Sequence, residues 1–94
     1  MTMTSDEAIG LAIKLTRTAQ GLSQESIGAS QSFVSDVERG KKSLTFQKLE
    51  EFAISLNVQP ATLVVRAALI ANTKLTIDEL FEIIRSQLST AKLT

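Results

Sequence analysis

Few residues in this chain are of types that could do chemistry. There is no Cys and no His, which removes disulfides, thiolate or imidazole metal sites, and any scheme using an imidazole base. Carboxylates cluster as Glu50 with Glu51 and as Asp78 with Glu79 and Glu82, but helical spacing puts both groups on polar faces, where such charges are ordinarily solvated. The sequence therefore does not read as an enzyme, and neither a metal nor a small-molecule cofactor is expected. One stretch stands apart, Ser30-Gln31-Ser32-Phe33-Val34-Ser35-Asp36-Val37-Glu38-Arg39-Gly40. At about 100° per residue, Phe33, Val34 and Val37 share one side, Ser32, Ser35 and Arg39 lie opposite, and Gln31 and Asp36 stand at the flanks. One face suits a core; the other offers donors and acceptors, the groups by which base edges are read in a DNA major groove. Many surface helices share this composition, and the wheel alone leaves a merely solvated face as the alternative.

The elements that must position this stretch follow from caps and periodicity. Thr4-Ser5-Asp6-Glu7 has capping-box spacing with acidic residues at the positive end of the helix dipole. It opens a first helix over about residues 6 to 19, with Ile9, Ala12 or Ile13, and Thr16 at helical intervals. Gln20-Gly21 ends it. Ser23 is placed to cap a second helix of only one or two turns, because Ser30 already caps the third, which runs over residues 31–39 and stops at Gly40. Thr45 caps a fourth helix whose Phe46, Leu49, Phe52, Ala53 and Leu56 form an apolar stripe, with Asn57 as a left-handed terminator. Pro60 launches a fifth helix to about Ala71. Thr76 and Glu79 form a second capping box before a last amphipathic helix carrying Ile77, Leu80, Phe81, Ile84 and Leu88. No strand-like alternation, repeat or phosphate-cradling glycine loop is present, so the expected fold class is all-α.

The whole chain sets bounds on this reading. Its 94 residues suit one core, and 44% hydrophobic with 21% charged residues is ordinary for a globular protein. The longest apolar stretch, Leu63-Val64-Val65 followed by Ala67-Ala68-Leu69-Ile70-Ala71, is interrupted by Arg66 and is far too short to span a bilayer. The opening residues lack a basic region followed by an apolar one, so a cytoplasmic location and no membrane partner are expected. Ten basic residues balance ten acidic ones, less basic than a protein that clings to nucleic acid by bulk charge. Local distribution must carry any such role, and the densest positive charge is Arg39 with Lys41 and Lys42.

Several residues together resemble a known family. Ile13-Lys14 and Arg17 precede Gly21-Leu22-Ser23-Gln24-Glu25; the Ser30 to Lys41 stretch follows, and then Leu49, Phe52-Ala53, Leu56-Asn57-Val58 and Leu63. Over about residues 8 to 66 this looks like the Cro and phage-repressor type of helix-turn-helix protein, the Xre family. The resemblance implies a five-helix, lambda-repressor-like DNA-binding domain, here residues 6–71, with the third helix in the major groove of an operator made of two half-sites. It implies base reading by Gln31 and Ser32, and by Ser35 and Asp36 one turn on. It also implies phosphate contacts by Ser23 and Gln24, and by the loop Lys41, Lys42 and Ser43 beside Arg39; such contacts set register and carry no sequence information. The family joins Arg17 and Glu38 in a partly buried bridge, which is preferred over phosphate binding by Arg17 and cytosine reading by Glu38. Phe33 reads as core, with contact to a thymine methyl as the alternative. Asp36 either accepts from a cytosine amino group or stands as a solvated flank that repels the backbone.

The chain departs from the family between Ser23 and Ser30, where the usual pattern is about four residues longer, roughly one helical turn. A shortened second helix keeps its facing to within about 40°, and Gly28 is the residue able to make the tight turn. The tilt of the recognition helix and the reach of Gln24 are left open. Beyond the family core, Leu63, Leu69, Ile70, Ile77, Leu80, Phe81, Ile84 and Leu88 supply more apolar surface than so small a core can hide. Residues 72–94 are therefore expected to form a dimerisation helix and tail, the alternative being a helix folded back on its own domain. The function expected is a dimeric, sequence-specific transcriptional regulator of prokaryotic or phage type, acting as a repressor. The rival is a protein-interaction module on the same scaffold, an antitoxin or anti-activator with a regulatory protein partner.

Overall fold

The computed structural model describes residues 2–91. Five α-helices and one 3₁₀ turn make up these residues: α1 (Ser5–Ala19), the 3₁₀ turn (Gln24–Ile27), α2 (Gln31–Glu38), α3 (Phe46–Leu56), α4 (Pro60–Ala71) and α5 (Ile77–Ala91). Residues 92–94, the end of the expected dimerisation segment, lie outside the described residues.

Local sequence sets the helix starts. Thr4 Oγ1 accepts from the Glu7 amide at 3.1 Å while Glu7 Oε1 accepts from the Thr4 amide at 2.8 Å, so two otherwise orphaned donors are satisfied at once. Thr76 and Glu79 repeat the exchange at 3.1 and 2.9 Å before α5. Ser30 caps α2 through the Phe33 amide, and Thr45 caps α3 through the Lys48 amide. Helix ends follow one rule as well. After α2, Gly40 takes φ 76° and the amides of Gly40 and Lys41 donate back to the carbonyls of Val37 and Asp36, the paired closure that needs a left-handed residue. Asn57, at φ 55°, closes α3 in the same way through Ile54 and Ala53.

Ser23 departs from its expected role. It makes no side-chain cap, because four residues of 3₁₀ geometry leave its hydroxyl opposite Ser26, whose Oγ lies 2.8 Å away. The expected second helix is thus a single tight turn, and Gly28 at φ 80° carries the chain out of it.

One cluster forms the core: Ile13 from α1, Ile27 from the 3₁₀ turn, Val34 and Val37 from α2, Leu49, Phe52, Ala53 and Leu56 from α3, and Leu63 from α4. Leu63 is fully enclosed here, which corrects its expected place at a dimer interface: the first turns of α4 must close the core over α1 and α3, and Leu63 is the residue they turn inward. Phe46 is corrected in the opposite direction. Although it continues the apolar stripe of α3, it is 67% exposed, because it sits at the first position of the helix, beyond the elements that cover Leu49 and Phe52. Between α3 and α4 the chain turns through 102°, and Gln20 ties the end of α1 to the end of α3 by donating to the Leu56 carbonyl at 2.6 Å.

α1 and α2 cross at Gly10. A β-carbon there would stand 2.1 Å from the Val37 carbonyl oxygen, well inside any tolerable contact, and both neighbours are backbone that cannot rotate away. Replacing Gly10 by Ala should cost about 3 kcal/mol, the upper end for overpacking a core, read as a fall in urea midpoint; a midpoint equal to that of the unaltered chain would show that the helices can part without loss.

Candidate nucleic-acid interface

α2 shows how eight residues can serve two environments. Val34, Val37 and Glu38 are buried, while Gln31 and Ser32 are exposed and Ser35 and Asp36 are half-buried. Phe33 is half-buried on the core side, packed against the cluster beneath. Its ring stacks on Phe52 with centroids 6.2 Å apart, and Lys48 Nζ stands 5.5 Å above it, so both an aromatic neighbour and a cation cover it.

The pose of α2 is fixed from beneath by charge. Arg17 Nε donates to Glu38 Oε2 at 2.6 Å and Nη2 donates to Glu38 Oε1 at 3.0 Å, a forked pair whose side chains are 10% and 2% exposed. Arg17 Nη1 donates in addition to the Leu22 carbonyl at 2.8 Å. Burial alone would raise the Glu38 pKa, but the hydrogen bonds from Arg17 and Gln24, with the charges of Arg17 and Lys14, hold it below the ordinary carboxylate value. The Arg17 guanidinium is held above its ordinary value, chiefly by the hydrogen bond to Glu38. No buried side-chain nitrogen or oxygen among the described residues lacks a partner.

The residues expected at phosphates divide into two kinds. Lys41 and Lys42 are exposed and, among the described residues, join no ion pair. The others are engaged within the chain. Gln24 Nε2 donates to Glu38 Oε1 at 2.9 Å, so this amide, at the start of the 3₁₀ turn, braces the bridge between α1 and α2. Ser43 Oγ donates to Asp6 Oδ2 at 2.7 Å, tying the basic loop to the start of α1. Arg39 Nη2 donates to Asp36 Oδ1 at 2.8 Å. None of these three contacts has a motif behind it. The Asp6–Ser43 tie spans 37 positions, and only the positive charge left at Arg39 opposite Asp36, three residues apart on one helix, was open to inference.

Nothing in this region is arranged to hold a metal: the described residues contain no group of three or more carboxylates that could do so. No single helix among them is long and apolar enough to cross a membrane.

A family model described as helix-turn-helix matches residues 13–63, the span from the middle of α1 through the 3₁₀ turn, α2 and α3 to the first turn of α4. The chain belongs to the Xre-type helix-turn-helix family. Two solved helix-turn-helix structures resemble it. The restriction-modification controller protein C.AhdI from Aeromonas hydrophila is 33% identical, with a TM-score of 0.58 over 61% of this chain and 92% of that one. The clp gene regulator ClgR from C. glutamicum is 25% identical, with a TM-score of 0.67 over 72% of this chain and 92% of that one. No curated protein sequence matches the chain. Both alignments leave at least a quarter of this helix-turn-helix chain unpaired, while the all-α architecture is common to all three.

The bridge beneath this helix-turn-helix makes stability depend on pH in a definite sense. Because the folded pKa of Glu38 lies below its unfolded value near 4.5, its contribution is complete above about pH 4.5 and is lost as pH falls through the folded value. Glu38→Gln should lower stability at neutral pH by about 3 kcal/mol, since a buried guanidinium loses its counter-charge. It should also flatten the decline in stability below pH 4.5. Urea melts between pH 3 and 7 check both; parallel acid limbs for the two proteins would remove Glu38 as the group responsible.

Proposed function

We propose that this chain is a sequence-specific, dimeric DNA-binding transcriptional regulator that inserts α2 into the major groove and represses by occupying a promoter, in the cytoplasm of a prokaryotic or phage-bearing cell. The observation that carries this reading is the division of α2. Its apolar side and Glu38 are locked into the core, and Gln31, Ser32, Ser35, Asp36 and Arg39 are left along one outward arc beside Lys41 and Lys42. A rigid helix with short polar side chains at its start suits base-edge readout, in which Gln can pair with adenine through two hydrogen bonds and Ser with either acceptor or donor. Lys41 and Lys42 stand where they can neutralise phosphates and set register. That one structural relative is a restriction-modification controller and another a clp gene regulator supports the same class of work.

The dimer rests on α4 and α5. Among the described residues α5 packs closely against no other element. It leaves Ile77 at 49%, Phe81 at 44% and Leu88 at 43% exposed, beside Val64 at 49% on α4. Leu69, Ile70, Leu80 and Ile84 are half-buried around them. An open groove of about 570 Å³ lined by Phe46, Pro60, Val64, Val65 and Ile84 separates the two surfaces. A second copy offering the same stripe would cover both, and two-fold pairing is what an operator of two half-sites requires. On this reading wild-type protein sediments as a dimer at micromolar concentration and Phe81→Glu as a monomer with unchanged helix content by circular dichroism. A monomeric wild type would end the two-half-site proposal.

A second reading, an antitoxin or anti-activator that binds a protein instead of DNA, is favoured by the inward turn of Gln24 and Ser43 and by zero net charge. Salt separates the two. A DNA binder loses affinity steeply between about 50 and 200 mM salt as counterions are released. Gln31→Ala should cost ~1–3 kcal/mol and relax one base position, whereas Lys42→Ala should weaken all duplexes alike and reduce the salt slope by about one. Fluorescence anisotropy with selected and scrambled duplexes measures this, and a flat salt response would favour the protein partner.

A further inference from the structure

Asp36 and Arg39 hold a position on α2 that their expected roles do not explain. Taking Gln31 as the origin, with about 100° per residue, Ser35 falls near 40°, Arg39 near 80°, Ser32 near 100° and Asp36 near 140°. Arg39 therefore stands in the middle of the outward arc, between the two serines, and not with the loop that follows. It closes α2 about 12 Å along the axis from Gln31, and its side chain is 58% exposed against 34% for Asp36. An exposed ion pair between neighbouring turns adds little to folding. It also makes a poor phosphate anchor, since the carboxylate cancels the charge that would displace a counterion.

What the pair does provide is direction. A free arginine side chain wanders among rotamers, whereas here one N–H of Nη2 is held by Asp36 Oδ1 at 2.8 Å, and the second N–H of Nη2 with the N–H beside it leaves one two-donor edge of the planar guanidinium free. Two donors set side by side match the O6 and N7 acceptors that guanine shows in the major groove, and the second Asp36 oxygen is an acceptor of the kind the cytosine amino group requires.

We infer that Asp36 and Arg39 act as one reading unit for a G·C pair, with Arg39 donating to the guanine and Asp36 fixing its guanidinium. This rests on the major-groove reading above and moves Arg39 from backbone contact to base contact. Asp36 acts through Arg39 and is a positioning residue, which resolves its expected choice between cytosine readout and simple repulsion: the negative charge is retained because it is paired.

The test is selection of bound fragments from random duplex DNA by the wild-type chain, Asp36→Ala and Arg39→Ala, followed by binding to the selected site with its guanine replaced by 7-deazaguanine, which lacks the N7 acceptor. The wild type should select a guanine in each half-site that both variants cease to select, while positions read by Gln31 persist. The replacement should weaken wild-type binding roughly tenfold and Arg39→Ala less than twofold. Asp36→Asn, which keeps an acceptor oxygen without the charge, should recover part of the preference. Circular dichroism melts of the variants should match the wild type within a few degrees, because the pair is exposed. If Asp36→Ala keeps the wild-type motif and merely binds every duplex more tightly, Asp36 only repels phosphate and the inference is overturned, with the groove reading intact. If the wild type selects no motif at all, the groove reading fails and this inference with it.

Discussion

The pose of α2 depends on the buried bridge between Arg17 and Glu38. Two charges taken out of water destabilise a fold unless geometry repays their desolvation, and here the repayment is a forked, two-bond contact with a carbonyl and an amide satisfying what remains. Its effect reaches beyond energy. Arg17 lies on α1, Glu38 on α2, Gln24 in the 3₁₀ turn and Leu22 in the segment between, so one network sets the mutual angle of three elements. Gly10 supplies a second fixed point, about two turns before Arg17 on the same side of α1, where backbone meets backbone. Two such points define a direction. A helix held at both presents its outward arc at one angle, as any reader of base edges must.

This arrangement also explains how four residues can be missing from the second element while the fold persists. Where the family resemblance implies a second helix about four residues longer, this chain has a 3₁₀ turn. In its place, Ile27 still fills the core, and Gln24 reaches the bridge directly from the tight turn. Support passes from a packed helical face to a hydrogen-bonded one. The consequence falls on the surface: an amide that braces Glu38 gives one of its donors to the interior, and with it part of its reach toward a backbone phosphate.

How much of this was legible in the sequence depends on range. Capping pairs such as Thr4 with Glu7 and Thr76 with Glu79, and left-handed closures at Gly40 and Asn57, are decided within a few residues, so their signals are complete in the local chain. The keel of α2 was legible for the same reason. Contacts between distant segments were not. Ser43 bonding Asp6, and Gln20 bonding the Leu56 carbonyl, follow from how the helices cross, which no spacing encodes. Patterns misled where they ignore neighbours: Phe46 continues an apolar stripe yet is solvent-facing, and Leu63 counts as surplus apolar surface yet is enclosed, since a pattern states which residues are apolar and not how far the covering element extends. The Arg17–Glu38 bridge lay between these cases. Composition alone could not pair residues 21 positions apart, and only the family resemblance joined them.

Zero net charge sits less awkwardly with the proposed DNA role once charge is followed through the structure. Asp36 is engaged by Arg39, Glu38 by Arg17, and Glu51 by Lys48, so several carboxylates face a cation of the chain itself. Lys41 and Lys42 project beside α2 without such a partner among the described residues, while Asp78, Glu79 and Glu82 lie apart on α5. A surface of this kind attracts duplex DNA weakly as a whole. Weak general attraction is an advantage to a reader of sequence, because the useful quantity is the ratio of specific to non-specific binding, and non-specific binding is almost entirely electrostatic. Affinity then has to come from elsewhere, and in the proposed dimer two linked half-sites would supply it: once one copy is seated, the second would bind at high effective concentration without any added charge. On the proposed reading, the exposed α5 and the sparse charge beside α2 are complementary features, the first making up in valency what the second gives up in attraction.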